Sequence, residues 1–364
     1  MANQSINENT SLQLTLLKLL AMIGVVNIHA CILYWDFFVI TPEKLPVVYY
    51  VQTIFSQYIS RVAVPVFFAV SGYIYFAKQY QDSNWQFLRR KAKGILWPYL
   101  LWNSIALFYI FLAQIPDFTG KYFTDHIIIS KFTPARWLDS YIGFGDSWYP
   151  FLYTLWFLPY LFAAFMAVHI FRKYFCKYEW LIWGIALLNI VCSSLTPLKN
   201  HLTEWGPFLR LLYAISFFSM GALLLKYKNI VSSRPALFIS GVFFAAATVL
   251  SLTWSMPGIK LNPLSFYAGL IFIFSLTARV GDCREKTKKI IVFLSGFSFL
   301  IYVTHEFAMT ALTKIIYPLI PAETWCILLL YFLIPVTLMT LLITGGWVLK
   351  KLLPGVFDFL FNAR

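Results

Sequence analysis

Ten stretches of about 20 predominantly apolar residues, each bounded by charged or Pro/Gly-rich turns, follow one another along the 364-residue chain. A segment of that length crosses the ~30 Å hydrocarbon core of a bilayer as an α-helix. The segments fall near 12–34, 47–77, 94–114, 148–170, 178–195, 207–226, 236–254, 261–279, 290–314 and 325–349. The second is over-long, which points to tilt or a break near Pro65. Only 12% of residues are charged and 60% are apolar, about half the charge a soluble surface needs. The chain is therefore expected to be all-α and polytopic. A soluble enzyme and a disordered protein are excluded.

The net charge of +14 admits two explanations, nucleic-acid binding or basic loops on one face of a membrane. Position decides for the second. Alternate loops collect nineteen Lys and Arg residues, among them Lys78, Arg89, Arg90, Lys91 and Lys93, and the other set holds seven. The positive-inside rule puts the basic loops and both termini in the cytoplasm of an inner or plasma membrane. No nucleic-acid partner is implied. The expected organisation is a short tail (1–11), a ten-helix domain (12–350) and a second short tail (351–364). No basic residue precedes Lys18, so the first span lacks the charged leader of a cleaved signal peptide. Cys31, Cys176, Cys192, Cys283 and Cys326 have no CxxC or metal spacing, and no metal is expected.

An ionisable group inside a span costs at least ~2.5–3.5 kcal/mol on insertion scales, so each is a candidate for function. Five stand out: Lys18, His29, Arg61, His305 and Glu306. Lys18 and His29 are eleven residues apart, which is three helical turns plus ~20°, so they share one stripe about 16 Å apart in depth. Snorkelling would explain Lys18 alone, and a packing hydrogen bond would explain His29 alone. Histidine also has the chemistry of a proton acceptor near neutral pH or of a transient acyl carrier. Arg61 lies at mid-depth, ahead of Pro65 and the small pair Ser71-Gly72. Tyr302 and His305 share a face with Ser298 in the ninth span, and His29 and His305 are both expected in the outer half, lining one chamber. Arg210 sits about a turn from its helix end and can snorkel.

Two surface features add candidates. The run Arg89-Arg90-Lys91-Ala92-Lys93, ahead of Trp97-Pro98-Tyr99, is either a topology signal or a phosphate patch in a cytoplasmic loop. The outer stretch 115–147 mixes Phe118, Tyr122, Phe123, Phe132, Trp137, Tyr141 and Phe144 with Asp117, Asp125, Asp139 and Asp146. Rings beside carboxylates hold sugars, and an interfacial loop has the same composition.

Taken in order, Lys18 with His29, Arg61 through Pro65-Val66-Phe67-Phe68 and Ser71-Gly72-Tyr73, the basic run with Trp97-Pro98-Tyr99, Leu155-Trp156-Phe157-Leu158, and Ser298 through Tyr302 and His305 resemble the membrane-bound acyltransferase-3 family. Members of that family transfer acetyl, or sometimes succinyl, groups from coenzyme A thioesters to extracytoplasmic glycans. The resemblance implies an O-acyltransferase with acetyl-CoA or another acyl-CoA as co-substrate and a glycan or lipid-linked saccharide as acceptor. It implies that Arg89, Arg90 and Lys93 hold the coenzyme A phosphates. His29 would be base or acyl carrier, Arg61 and then Lys18 would position the thioester, and Tyr302 and His305 would orient the acceptor or shuttle its proton. The chain departs from the family at Thr15, where an acid is common, at Leu19, where glycine is common, and at Lys93, where arginine is commoner. A transporter or flippase of a lipid-linked saccharide is the competing class. Its internal repeats and paired broken helices are not visible in the sequence.

Overall fold

A computed structural model of the protein describes residues 6–33, 38–78, 83–115, 128–143, 149–195, 206–253 and 262–361. These residues are helical throughout apart from turns and connections, in agreement with the all-α expectation. The main helices are α1 (Glu8–His29), α2 (Pro46–Ala77), α3 (Asn84–Gln114), α4 (Pro134–Ile142), α5 (Tyr153–Ile170), α6 (Glu179–Ser194), α7 (Gly206–Lys226), α8 (Arg234–Thr253), α9 (Asn262–Thr277), α10 (Glu285–Ser295), α11 (Ser298–Ile316), α12 (Thr324–Leu352) and α13 (Pro354–Phe361). Nine described helices are long and apolar enough to cross a bilayer. The fifth expected span, α6, is apolar but only 16 residues long. The chain is a polytopic membrane protein.

Helix α1 is the axis of the bundle, in contact with α2, α9, α10 and α11. It starts at an Asn7 cap, whose Oδ1 accepts from the Thr10 backbone N–H at 2.9 Å. A buried polar knot fixes its far end. Asn27 donates to Ser60 Oγ (2.9 Å) and to the Tyr331 hydroxyl (3.2 Å), and Ser56 donates to the Asn27 carbonyl (2.8 Å). Each member is satisfied inside the apolar interior, so the knot locks α1 to α2 and α12. The chain leaves α1 with the Ile32 N–H bonded to Gln52 Oε1 at 3.0 Å.

The break in the second span lies ahead of Pro65 rather than at it. Residues Thr53–Ile59 are wound as π-helix and Ser60–Val62 as 3₁₀, before regular α-helix resumes at Ala63–Ala77. Pro65 supplies the reason, since its ring crowds the carbonyl four residues earlier and its nitrogen donates nothing to that turn. Arg61 sits in the distorted turn. Beyond it, α2 and α7 make the closest helix pair. A Cβ added to Gly72 would lie 1.8 Å from the Phe218 carbonyl oxygen, and one on Gly221 would lie 2.3 Å from the Tyr73 nitrogen. Ser71-Gly72 thus permits the close backbone approach its composition suggested.

Two boundaries differ from expectation. The third helix begins at Asn84, not 94, because Ser83 and Gln86 form a reciprocal capping box that nucleates a turn ten residues early. The basic run therefore lies on a helix and not in a loop. The ninth span is split at Gly296-Phe297, so residues 290–295 belong to amphipathic α10 and the deeper helix starts at Ser298. Past the last span, α13 folds back on the bundle. Phe357 is buried and the Trp102 indole N–H donates to the Leu360 carbonyl at 3.0 Å.

Candidate functional site

A cavity of about 1070 Å³ runs beside α1, slightly larger than the ~300–1,000 Å³ usual for small-molecule sites. Thr15 and Lys18, with Val292, Ser295 and Gly296 of the α10–α11 break, line one end. His29, Arg61, Tyr149, Tyr153, Trp156 and Arg210 line the other. From Thr15 to His29 the helix rises about 21 Å, some two-thirds of the bilayer core. The 3.6-residue period is what brings Lys18 and His29 to one wall, as the sequence spacing required.

His29 is the last residue of α1, where the helix dipole favours positive charge. Its Nδ1 lies 3.0 Å from Glu306 Oε2 and 2.9 Å from the Tyr153 hydroxyl. A carboxylate only accepts, so the tautomer that pairs with Glu306 has its proton on Nδ1 and leaves Nε2 as the basic nitrogen. His305 stands behind this pair, fully buried, with ring centroids 5.0 Å apart from those of His29. Its Nδ1 donates to the carbonyls of Ile301 (3.0 Å) and Tyr302 (2.8 Å). Its Nε2 is buried without a hydrogen-bond partner.

Three elements hold the group. Asn103, fully buried, donates to the Ser140 carbonyl (2.8 Å) and accepts from Leu152 N–H (2.9 Å). That bond sets the 3₁₀ turn that begins at Tyr153. The Tyr302 hydroxyl donates to the Thr154 carbonyl at 2.8 Å and ties the turn to α11. Thr154 and Ser298 are among the residues that line the cavity, and their hydroxyl oxygens are buried without hydrogen-bond partners.

The expected residues divide into three groups. Lys18, His29, Arg61 and Tyr302 line the cavity, with the Arg61 Nε donating to Gln57 Oε1 at 2.8 Å. His305 is beside His29 but not among the lining residues, so the chamber expected for both is bordered by His29 alone. Arg89, Arg90 and Lys93 are exposed on α3 and do not line the cavity. Their neighbour Lys91 turns inward, with its ammonium 3.7 Å from the Phe165 ring centroid. Arg210 does not snorkel away. Its guanidinium lies 3.9 Å over Tyr149 and 5.9 Å from Trp156. In the outer stretch, Asp139 is paired with Arg136 at 3.1 Å. Phe118, Tyr122, Phe123, Phe144, Asp117, Asp125 and Asp146 lie outside the described residues. One site residue, Tyr153, and one pairing, that of Glu306 with His29, escaped the sequence. Glu306 was visible as an intramembrane charge, but its partner was not. Tyr153 is one of 22 tyrosines and carries no local signal.

Comparison with known proteins gives three findings. The family model described as an acyltransferase domain matches residues 11–344. The succinoglycan biosynthesis protein ExoH of Rhizobium meliloti (strain 1021) is 23% identical over 380 residues, covering 98% of this chain and 93% of that protein. No solved structure matches the chain.

Proposed function

Since the chain belongs to the acyltransferase-3 family, we propose that it moves an acyl group, acetyl by the family's habit, from cytoplasmic acyl-CoA to a hydroxyl of an extracytoplasmic glycan or lipid-linked saccharide. The observation that carries this reading is the His29 imidazole at the cavity wall, backed by Glu306 at 3.0 Å. That is the arrangement of a general base oriented by a carboxylate. The glycan acceptor is supported by the likeness to a succinoglycan biosynthesis protein. In this reading the basic face of α3 (Arg89, Arg90, Lys93) holds the coenzyme A phosphates at the cytoplasmic side. The pantetheine arm enters past Lys18 and reaches the thioester to the outer half of the cavity.

The transfer then follows from the groups present. His29 Nε2 takes the proton of the acceptor hydroxyl, and its Nδ1–H stays on Glu306, which balances the imidazolium. The acceptor oxygen forms a bond to the thioester carbon, and charge develops on the carbonyl oxygen. Arg61, a cation on the cavity wall, is the candidate to receive it. Collapse breaks the carbon–sulfur bond, and the thiolate leaves with the proton held by His29. Tyr302 acts through the Thr154 carbonyl it binds, and so positions the turn rather than the acceptor.

The test is release of free thiol from acetyl-CoA by detergent-purified protein with a panel of glycan acceptors. His29→Ala is expected to lower acceptor-dependent release by about 10²–10⁴-fold, the usual range for a general base, while membrane insertion is unchanged. Wild-type turnover by that variant would overturn the assignment. A folded protein that binds no acyl-CoA would overturn the whole reading.

A further inference from the structure

His29, His305 and Glu306 place one ligand atom each within 4.8 Å of one another, the one such cluster among the described residues. The sequence reading expected no metal, because spacing along the chain cannot show a group assembled from two helices. The geometry points to a site for a divalent transition cation of the zinc class, held by His29 Nδ1, His305 Nε2 and a Glu306 oxygen. Two histidines and one carboxylate make a donor set that zinc accepts.

Beyond the cluster itself, the surroundings of His305 argue for this. Its Nδ1–H is spent on two backbone carbonyls, which fixes the tautomer and leaves Nε2 as a lone-pair donor in a fully buried position without a partner. Metal-bound histidines are held in this way, with the second nitrogen donating to a carbonyl or carboxylate. Glu306 has the corresponding support from the Thr310 hydroxyl, which donates to its Oε1 at 3.4 Å. The fit needs only side-chain adjustment. A tetrahedral zinc with ~2.0–2.1 Å bonds spaces its donors about 3.4 Å apart, and the His29–Glu306 pair already stands at 3.0 Å.

Occupancy has a consequence for the proposed reaction, on which this part of the inference rests. A cation bound through the Nδ1 lone pair holds the neutral imidazole in its other tautomer, with the single ring proton moved from Nδ1 to Nε2. Nε2 then has no lone pair to offer an acceptor hydroxyl. The same residues thus serve either as base and orienter or as a metal site, and zinc is an inhibitor.

The experiment uses the full chain, purified in detergent and washed with chelator, titrated with zinc chloride against a fluorescent chelator. Cobalt(II) serves as a visible-absorption reporter of low coordination number. One equivalent of zinc is expected to bind, with His305→Ala and Glu306→Gln each weakening it by about tenfold or more. A monodisperse protein that binds no zinc, or binding that survives both substitutions, would overturn the site. In the transfer assay, zinc is expected to inhibit over the same concentration range as it binds, and chelator to restore turnover. Turnover that requires zinc, or that ignores bound zinc, would overturn the exclusion. Binding is read without turnover, so failure of the transferase reading leaves the site standing, and absence of zinc binding leaves the transferase reading standing.

Discussion

At the scale of single residues, the reading turns on how Glu306 acts on His29. Glu306→Gln keeps the volume but puts an amide beside Nδ1, which removes the charge that balances the imidazolium. It is expected to lower thiol release by about 10²-fold or more with little change in KM. The double variant with His29→Ala should be no slower than His29→Ala alone, because the two act as one unit. Additive losses in the double variant would mean that Glu306 works elsewhere. The sequence made Lys18 and His29 legible as a pair because both lie on one helix, where the 3.6-residue period converts spacing into direction. It could not pair His29 with Glu306, which stand on α1 and α11, since no local period relates residues on different helices. It also assigned His305 to the chamber wall, and what it could not see was that this ring packs behind His29, fully buried. The structure supplied the contacts that only tertiary packing defines.

At the scale of helices, the α2–α7 crossing sets where Arg61 and the cavity wall stand. Gly72→Ala must push the Phe218 backbone away from a 1.8 Å contact, and a carbonyl cannot move as a side-chain tip can. A cost at or above the upper end of the ~1–3 kcal/mol of ordinary overpacking is expected, read as a lower melting temperature in detergent. Gly184→Ala in α6 is the comparison, since nothing lies within 4 Å of its added Cβ. Removing a helix-interior glycine there should leave the melting temperature unchanged or slightly raised. Equal losses in the two variants would show that helix propensity, not close approach, governs Gly72. Spans were legible from apolar length alone, whereas their irregularities needed more than hydropathy. The early start of α3 came from a Ser83–Gln86 capping box in a polar segment, and the α10–α11 break from a glycine inside an apolar run. Both lie at span edges, where hydropathy averages over the features that decide a boundary.

At the scale of the whole molecule, the site and the basic residues proposed to serve it occupy different ends. Arg89, Arg90 and Lys93 lie outside the cavity that His29 borders, so they can contribute to donor binding without touching the reacting atoms. Reversing Arg90 to Glu is expected to raise KM for acyl-CoA about tenfold and leave kcat within about twofold, since uniform binding is what such a contact supplies. A kcat loss equal to the change in kcat/KM would instead put that face in the transition state. This division of labour requires the basic end to face the cytoplasm, and two cysteines make that measurable. Cys176 and Cys283 are exposed, free and set among the basic connections, whereas Cys31 and Cys192 are buried. A membrane-impermeant maleimide should therefore leave both untouched in intact cells and modify both in inverted vesicles. Cys176→Ser and Cys283→Ser variants would apportion the signal between the two. Labelling of Cys176 and Cys283 from outside intact cells would place the basic face of α3 away from the cytoplasmic donor pool. The donor path proposed past Lys18 toward His29 would then have to run in the opposite direction.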